Sequence, residues 1–141
     1  MDLRTYQPAD KDGCLAAFDS NVPAFFQTPD RAAIEAFLDE PPGTFLVLDH
    51  DGVVAGCGGY TFEHPDLASI RWLMVRRDLH GNGLGRFLLF SAMRKLTAEG
   101  DPAMLRVTST PAAAGFFEKQ GFRSSAATTH LEMVKKLKVC P

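Results

Sequence analysis

Residues 72–89 read Trp-Leu-Met-Val-Arg-Arg-Asp-Leu-His-Gly-Asn-Gly-Leu-Gly-Arg-Phe-Leu-Leu: an apolar strand, a glycine-rich turn and the start of a helix. That order of parts builds an anion site. Gly81, Gly83 and Gly85 lack a Cβ, so each can take positive φ and let successive backbone N–H groups converge. The helix start adds its own unpaired N–H groups and the positive end of its macrodipole. Arg76, Arg77, His80 and Arg86 contribute positive character against Asp78 alone. A diphosphate matches both the charge and the donors.

Two familiar phosphate loops are excluded by the same residues. A nucleoside-triphosphate loop requires Lys and then Ser or Thr after its last glycine, whereas Gly85 is followed by Arg86 and Phe87. A dinucleotide fingerprint requires a third glycine where Arg86 stands, and belongs in a first βα unit instead of mid-chain. The pattern that fits is a basic residue or Gln, two residues, Gly, one residue, Gly, seen here as His80-Gly81-Asn82-Gly83-Leu84-Gly85. It resembles the coenzyme A loop of the GNAT superfamily of N-acetyltransferases. Ser69-Ile-Arg-Trp-Leu-Met-Val75 is similar to that family's fourth strand, and residues 105–122, ending in Phe-Phe-Glu-Lys-Gln-Gly-Phe, to its fifth strand, next helix and the following strand start. With the opening Leu3-Arg-Thr-Tyr-Gln-Pro-Ala-Asp10, the resemblance covers nearly the whole chain.

The resemblance implies an α/β (α+β) fold: a mixed, mostly antiparallel central sheet of about six to seven strands flanked by about four helices, with strands four and five splayed. It implies acetyl-CoA as cofactor, with pantetheine in the gap against the backbone of Met74 and Val75. His80, Gly81, Asn82, Gly83, Leu84, Gly85 and Arg86 would then hold the pyrophosphate. The implied reaction is direct transfer of an acetyl group to a primary amine of a small molecule or peptide. Such transfer needs a neutral amine, a group to take its proton, a donor for the developing oxyanion and an acid for the leaving thiolate.

Here the chain departs from the family. The strand-four position that often carries the general-base glutamate is Ser69, and the position of the thiolate-protonating tyrosine is Phe117. Glu63 and His64, at the end of the preceding strand, are the candidate substitutes for the base, and Tyr60 is a candidate acid. Three explanations stay open: other residues do the work, a water chain does it, or the protein binds acyl-CoA without catalysing transfer, as a regulatory module. Transfer is the expectation carried forward, because positioning alone supplies much of the rate.

The elements that would position these residues can be read along the chain. Residues 2–7 form a strand, Asp10 or Asp12 caps a helix, and Thr28-Pro29 opens a second helix with Thr28 as N-cap. Thr44–Asp49 and Val53–Phe62 form a hairpin about His50-Asp51-Gly52. Residues 68–76 give the next strand. A helix from about Gly85 buries Leu89, Ala92, Met93 and Leu96. Met104–Ser109 is a strand, Ala112–Lys119 a helix, and 122–137 two strands about a turn near Ala126. Phe25-Phe26-Gln27, apolar for a loop, is assigned to the acceptor pocket. Cys57, among Gly56, Gly58 and Gly59, reads as a small buried residue.

With 141 residues, the chain reads as a single domain over 1–141 that is long enough to bury a core. A formal charge of −2 argues against nucleic-acid binding. Cys14, Cys57 and Cys140 suggest neither a disulfide framework nor a metal site, and fit a reducing, cytoplasmic setting. No apolar run has the length of a bilayer span, so no membrane association is expected. Oligomeric state is not legible; a homodimer is compatible with everything read here.

Overall fold

The computed structural model describes residues 1–124 and 131–137. The chain opens with strand Asp2–Thr5 (β1), a 3₁₀ turn at Pro8–Asp10, and helices Lys11–Ser20 (α1) and Asp30–Asp39 (α2). Strands Thr44–His50 (β2), Val53–His64 (β3) and Leu67–Val75 (β4) follow as a meander. A 3₁₀ turn at Arg77–Leu79 leads to helix Leu84–Glu99 (α3). Strand Met104–Ser109 (β5), helix Pro111–Lys119 (α4), and strands Arg123–Ser124 (β6) and Leu131–Lys136 (β7) complete the order. One seven-stranded sheet runs β1-β2-β3-β4-β5-β7-β6. Its pairs are antiparallel except β4 with β5, which are parallel. This is the mixed, mostly antiparallel α/β architecture expected; the turn near Ala126 lies outside the described residues.

Local chemistry explains the elements. Asp51 and Gly52 both take positive φ, 52° and 82°, which matches the right-handed twist of the hairpin they close. The start of α2 differs from expectation: Pro29, not Thr28, occupies the N-cap, and the Asp30 carboxylate accepts the Gln27 N–H at 3.0 Å. A carboxylate in the first turn serves the orphan donors there better than the Thr28 hydroxyl, which makes no cap bond. Along α3, Leu88, Leu89, Ala92 and Leu96 are buried and Met93 only partly so. Leu88 joins this face because it packs on Leu48, Ala55 and Val75 of the sheet.

The two sheet faces carry separate cores. On one, α1 and α2 bury Leu15, Phe18, Ile34, Phe37 and Leu38 against Phe45, Val47, Cys57 and Met74. On the other, α3 and α4 bury Leu89, Leu96 and Phe117 against Tyr60, Ile70, Leu105 and Val107. Cys57 is fully buried, as expected. No helix among the described residues is long and apolar enough to cross a membrane.

At the sheet edge, Arg4 grips the Asp10 carboxylate through both terminal nitrogens, at 2.7 and 2.8 Å, and reaches Asp49 at 3.0 Å. Both carboxyls are held below the usual aspartate value of 3.8, first by this guanidinium; burial works against it at Asp10. A depressed carboxyl stabilises the fold above its unfolded pKa and loses that contribution as pH falls through its folded pKa. Arg4→Gln should therefore lower stability near pH 7 and flatten the loss on acidification below 3.8. Urea denaturation of both proteins at about pH 7 and about pH 3 measures this, and parallel pH dependences would contradict it.

Candidate active site

Strands β4 and β5 pair from Leu67–Met104 to Ile70–Val107 and no further. Beyond that point they diverge, and a cleft of about 850 Å³ opens between Arg71–Val75 on one side and Thr108–Thr110 on the other. Such a volume suits a small-molecule site. Met74 and Val75, expected to touch the cofactor through their backbones, both line it.

The glycine turn closes one end of the cleft. Gly81 and Gly83 take positive φ, 84° and 78°, and a Cβ added at either would meet nothing within 4 Å. Glycine is required there by conformation, and the space outside is open to a ligand. Gly85 differs from expectation: it lies inside α3, where an added Cβ would stand 3.4 Å from the Phe116 ring. Among the described residues, the backbone N–H groups of Gly81, Asn82, Gly83, Leu84, Gly85 and Arg86 have no protein acceptor; the first such bond beyond them is Phe87 N–H to Gly83 O, at 3.0 Å. A run of unpaired donors at a helix start is an anion receptor.

The loop is anchored by contacts that leave these donors unspent. His80 donates from Nε2 to the Val75 carbonyl at 2.8 Å, its ring edge-on to Phe25. That nitrogen therefore pins the loop to the strand end instead of reaching for phosphate. The end of α1 supplies a second anchor: Ser20 Oγ accepts the Arg77 N–H at 3.0 Å, and Asn21 Nδ2 donates to the Val75 carbonyl at 2.9 Å. Asn82 Nδ2 donates to Leu79 O. Of the flanking cations, Arg76 pairs with Asp78, Arg77 lies over the Phe25 ring, and Arg86 lines the cleft while stacking on Phe90.

Two polar residues escaped the sequence reading. Asn21 and Thr110 line the cleft from opposite walls, and Asn21 Oδ1 and Thr110 Oγ1 are buried atoms without a hydrogen-bond partner among the described residues. Unpaired buried acceptors and hydroxyls are costly, so each marks a place where water or a ligand group completes the bonding. Thr110 occupies the N-cap of α4, two residues before the helix start read from the sequence, and its hydroxyl makes no cap bond. Nothing in the sequence around Asn21 marks it.

The acid–base candidates separate. Glu63 lines the cleft, and its Oε1 accepts the Ser69 hydroxyl at 2.8 Å. A carboxylate from β3 thus stands at the β4 position where the resemblance predicted one. Glu63 also pairs with Arg106, which reaches Glu132 at 3.2 Å. The Ser69 hydrogen bond, aided by Arg106 and opposed by burial, lowers the Glu63 pKa from 4.5. His64 does not line the cleft; its Nδ1 accepts the Asp66 N–H at 3.2 Å in the turn to β4. Tyr60 stays in the α3-side core, where its hydroxyl donates to Glu99 at 2.7 Å. Burial, then Glu99, pushes its pKa up to about 12. This corrects the expectation that Tyr60 serves as an acid in the site. Phe117 is buried with its ring at the cleft wall, so no hydroxyl stands there. Phe25, Phe26 and Trp72 line the remaining wall, and Gln27 does not.

The description "Acetyltransferase (GNAT) family" matches residues 12–122. Mycothiol acetyltransferase of Streptomyces coelicolor is 31% identical over 134 residues, covering 86% of this chain and 42% of the relative. The chain spans about half the length of the curated relatives it matches. Among solved structures, a GNAT-family protein of Desulfovibrio desulfuricans superposes with a TM-score of 0.81 at 19% identity, over 97% of this chain and 99% of that one. N-acetylglutamate synthase of Neisseria gonorrhoeae, solved with coenzyme A and L-arginine, gives 0.74 at 22% identity over 96% of this chain and 33% of that one. Coenzyme A in such structures is consistent with acetyl-CoA as the cofactor expected here. Splayed strands, glycine loop and a family match over most of the length agree: the chain belongs to the GNAT family of acetyltransferases.

Proposed function

We propose that the protein is an acetyl-CoA-dependent N-acetyltransferase that acetylates a primary amine of a small molecule or peptide by direct transfer. The observation that carries this reading is the run of unpaired N–H groups from Gly81 through Arg86, at the end of a cleft edged by unpartnered strand. The cleft fits the cofactor on its own terms. The loop matches a diphosphate, the open edge of β4 matches an amide-bearing arm, and Asn21 Oδ1 and Thr110 Oγ1 lack partners that such an arm supplies.

Acetyl-CoA, when bound, supplies an activated thioester carbonyl and a thiol leaving group. Glu63, ionised and half in solvent, receives the acceptor ammonium and aligns it with the cleft. Its lowered pKa makes it a poor proton store, so it orients the amine and passes the proton to water. Ser69 and Arg106 hold the carboxylate in place. Strand N–H groups on the β4 edge beyond Ile70 are the donors available to a developing oxyanion. Phe117 offers no proton, and a thiol of ordinary pKa, about 8.5, needs little assistance near neutrality.

Incubation with acetyl-CoA and a panel of amines, followed by free-thiol release, should show turnover. Tight coenzyme A binding without transfer to any acceptor would select the alternative, a non-catalytic acyl-CoA-binding module. Glu63→Gln should lower kcat/KM about 10- to 100-fold with little change in coenzyme A affinity. Because the Glu63 pKa lies below 4.5, its carboxylate is charged at every higher pH; the rate should rise with pH along the acceptor's own ammonium ionisation. An added inflection near neutrality that vanishes in Glu63→Gln would contradict this role. Gly83→Val places a β-branched residue at φ 78° and a side chain over the donors. Coenzyme A affinity should fall at least about tenfold, by calorimetry, while backbone strain costs about 1–2 kcal/mol of stability.

A further inference from the structure

Between the pairs Cys57–Met74 and Gly59–Arg71, β4 has one residue more than β3. The excess is taken up at Trp72, whose φ is 46°, while Gly58 opposite leaves room for Leu73: a Cβ there would meet Leu73 Cδ1 at 2.7 Å. A bulge of this kind breaks the alternation of side chains. Ser69 and Arg71 lie on the α1–α2 face by ordinary alternation, and the bulge adds Trp72 to the same face. The ring contacts show it: the Arg71 guanidinium lies 5.0 Å from the Phe37 centroid, and Trp72 packs on Phe18, Phe26 and Phe37. Both residues line the cleft, beside Glu63. Positive φ at a bulky residue costs free energy, so holding this pair together is maintained against a penalty.

Arg71 differs from its charged neighbours. The carboxylates of the cleft are engaged elsewhere: Glu63 and Glu132 by Arg106, Asp30 by the Gln27 N–H. Arg86 lies at the start of α3, beside the glycine loop. Among the described residues, Arg71 makes no ion pair and no side-chain hydrogen bond; its one contact of that strength is the Phe37 ring. A half-buried guanidinium, stacked on an aromatic ring with its donor fork unspent, is a receptor for a carboxylate. Strand geometry sets the Cα atoms of Ser69 and Arg71 roughly 7 Å apart on one face. Glu63 is bonded to the first of these residues, so one small molecule can reach both the carboxylate and the fork.

We propose that the acceptor is an amino acid with an apolar or aromatic side chain. Its carboxylate sits on Arg71, its amine points to Glu63, and its side chain lies against Phe26 and Trp72. The role of the amine rests on the acetyl transfer proposed above, but the carboxylate site is testable without turnover. The probes are N-acetylphenylalanine and N-acetylphenethylamine, which differ by the carboxylate alone. Each is titrated calorimetrically into the protein with and without saturating coenzyme A, after a titration with coenzyme A itself. The acid should bind at least about tenfold tighter than its decarboxylated twin. Arg71→Gln should abolish that difference and Arg71→Lys retain part of it, with the coenzyme A titration reporting that each variant is folded. Equal affinities, no binding of either probe, or a preference that survives in Arg71→Gln would overturn the proposal. Failure of the coenzyme A titration in the unaltered protein would instead overturn the transferase reading and leave the Arg71 comparison to be judged on the titrations without it.

Discussion

Two parallel strands that begin as neighbours and then part must leave backbone donors and acceptors facing an open gap. Separation of β4 from β5 after Ile70 and Val107 is the constraint on which the rest of the molecule turns. Unpaired strand edges are tolerated only where water or a ligand completes them. The surrounding elements hold the gap open: α1 and α2 brace β4 from one face, α3 and α4 brace both strands from the other. The end of α1 reaches round to the strand end, where Asn21 and His80 both donate to Val75 O. That carbonyl is therefore closed to a ligand, and the loop that follows is fixed while its own N–H groups stay free.

The chemistry is arranged around two substitutions in the family pattern. Ser69 gives up the carboxylate its position would carry but recovers it through space, because β3 runs two residues past Thr61, its partner, to present Glu63. A carboxylate held by a hydroxyl and a guanidinium is better suited to binding a cation than to storing a proton. The second substitution is Phe117, which lines the cleft without the hydroxyl that a tyrosine would bring there, so the proposed transfer rests on placement and charge. Tyr60 shows the same economy in reverse, since its hydroxyl is consumed in tying β3 to Glu99 at the end of α3.

Much of this was legible in the residues themselves. Strand, turn and helix over 72–89 follow from apolar runs broken by Gly81 and Gly83, and the Asp51-Gly52 hairpin from two residues that accept positive φ. The buried stripe of α3 follows from its period. What escaped reading depends on contacts between distant segments. Asn21 matters because the end of α1 meets the end of β4, 54 residues later. His80 looked like a phosphate ligand because its spacing fits, yet the nearest acceptor, Val75 O, claims its nitrogen. The bulge at Trp72 is invisible in a run that alternates acceptably without it, and it decides which side chains share the α1–α2 face. His64 and Glu63 are adjacent in sequence, but only Glu63 lines the cleft, while the His64 ring turns to the Asp66 N–H.

The central claim is that free amides at the start of α3 grip a diphosphate while the β4 edge seats the arm attached to it. Calorimetric titration of the protein with coenzyme A and, separately, with pantetheine, which lacks the diphosphate, tests it most directly. The account predicts saturable binding of coenzyme A and a loss of at least about a hundredfold in affinity for pantetheine. Equal affinity for the two, or no association with coenzyme A, would contradict it.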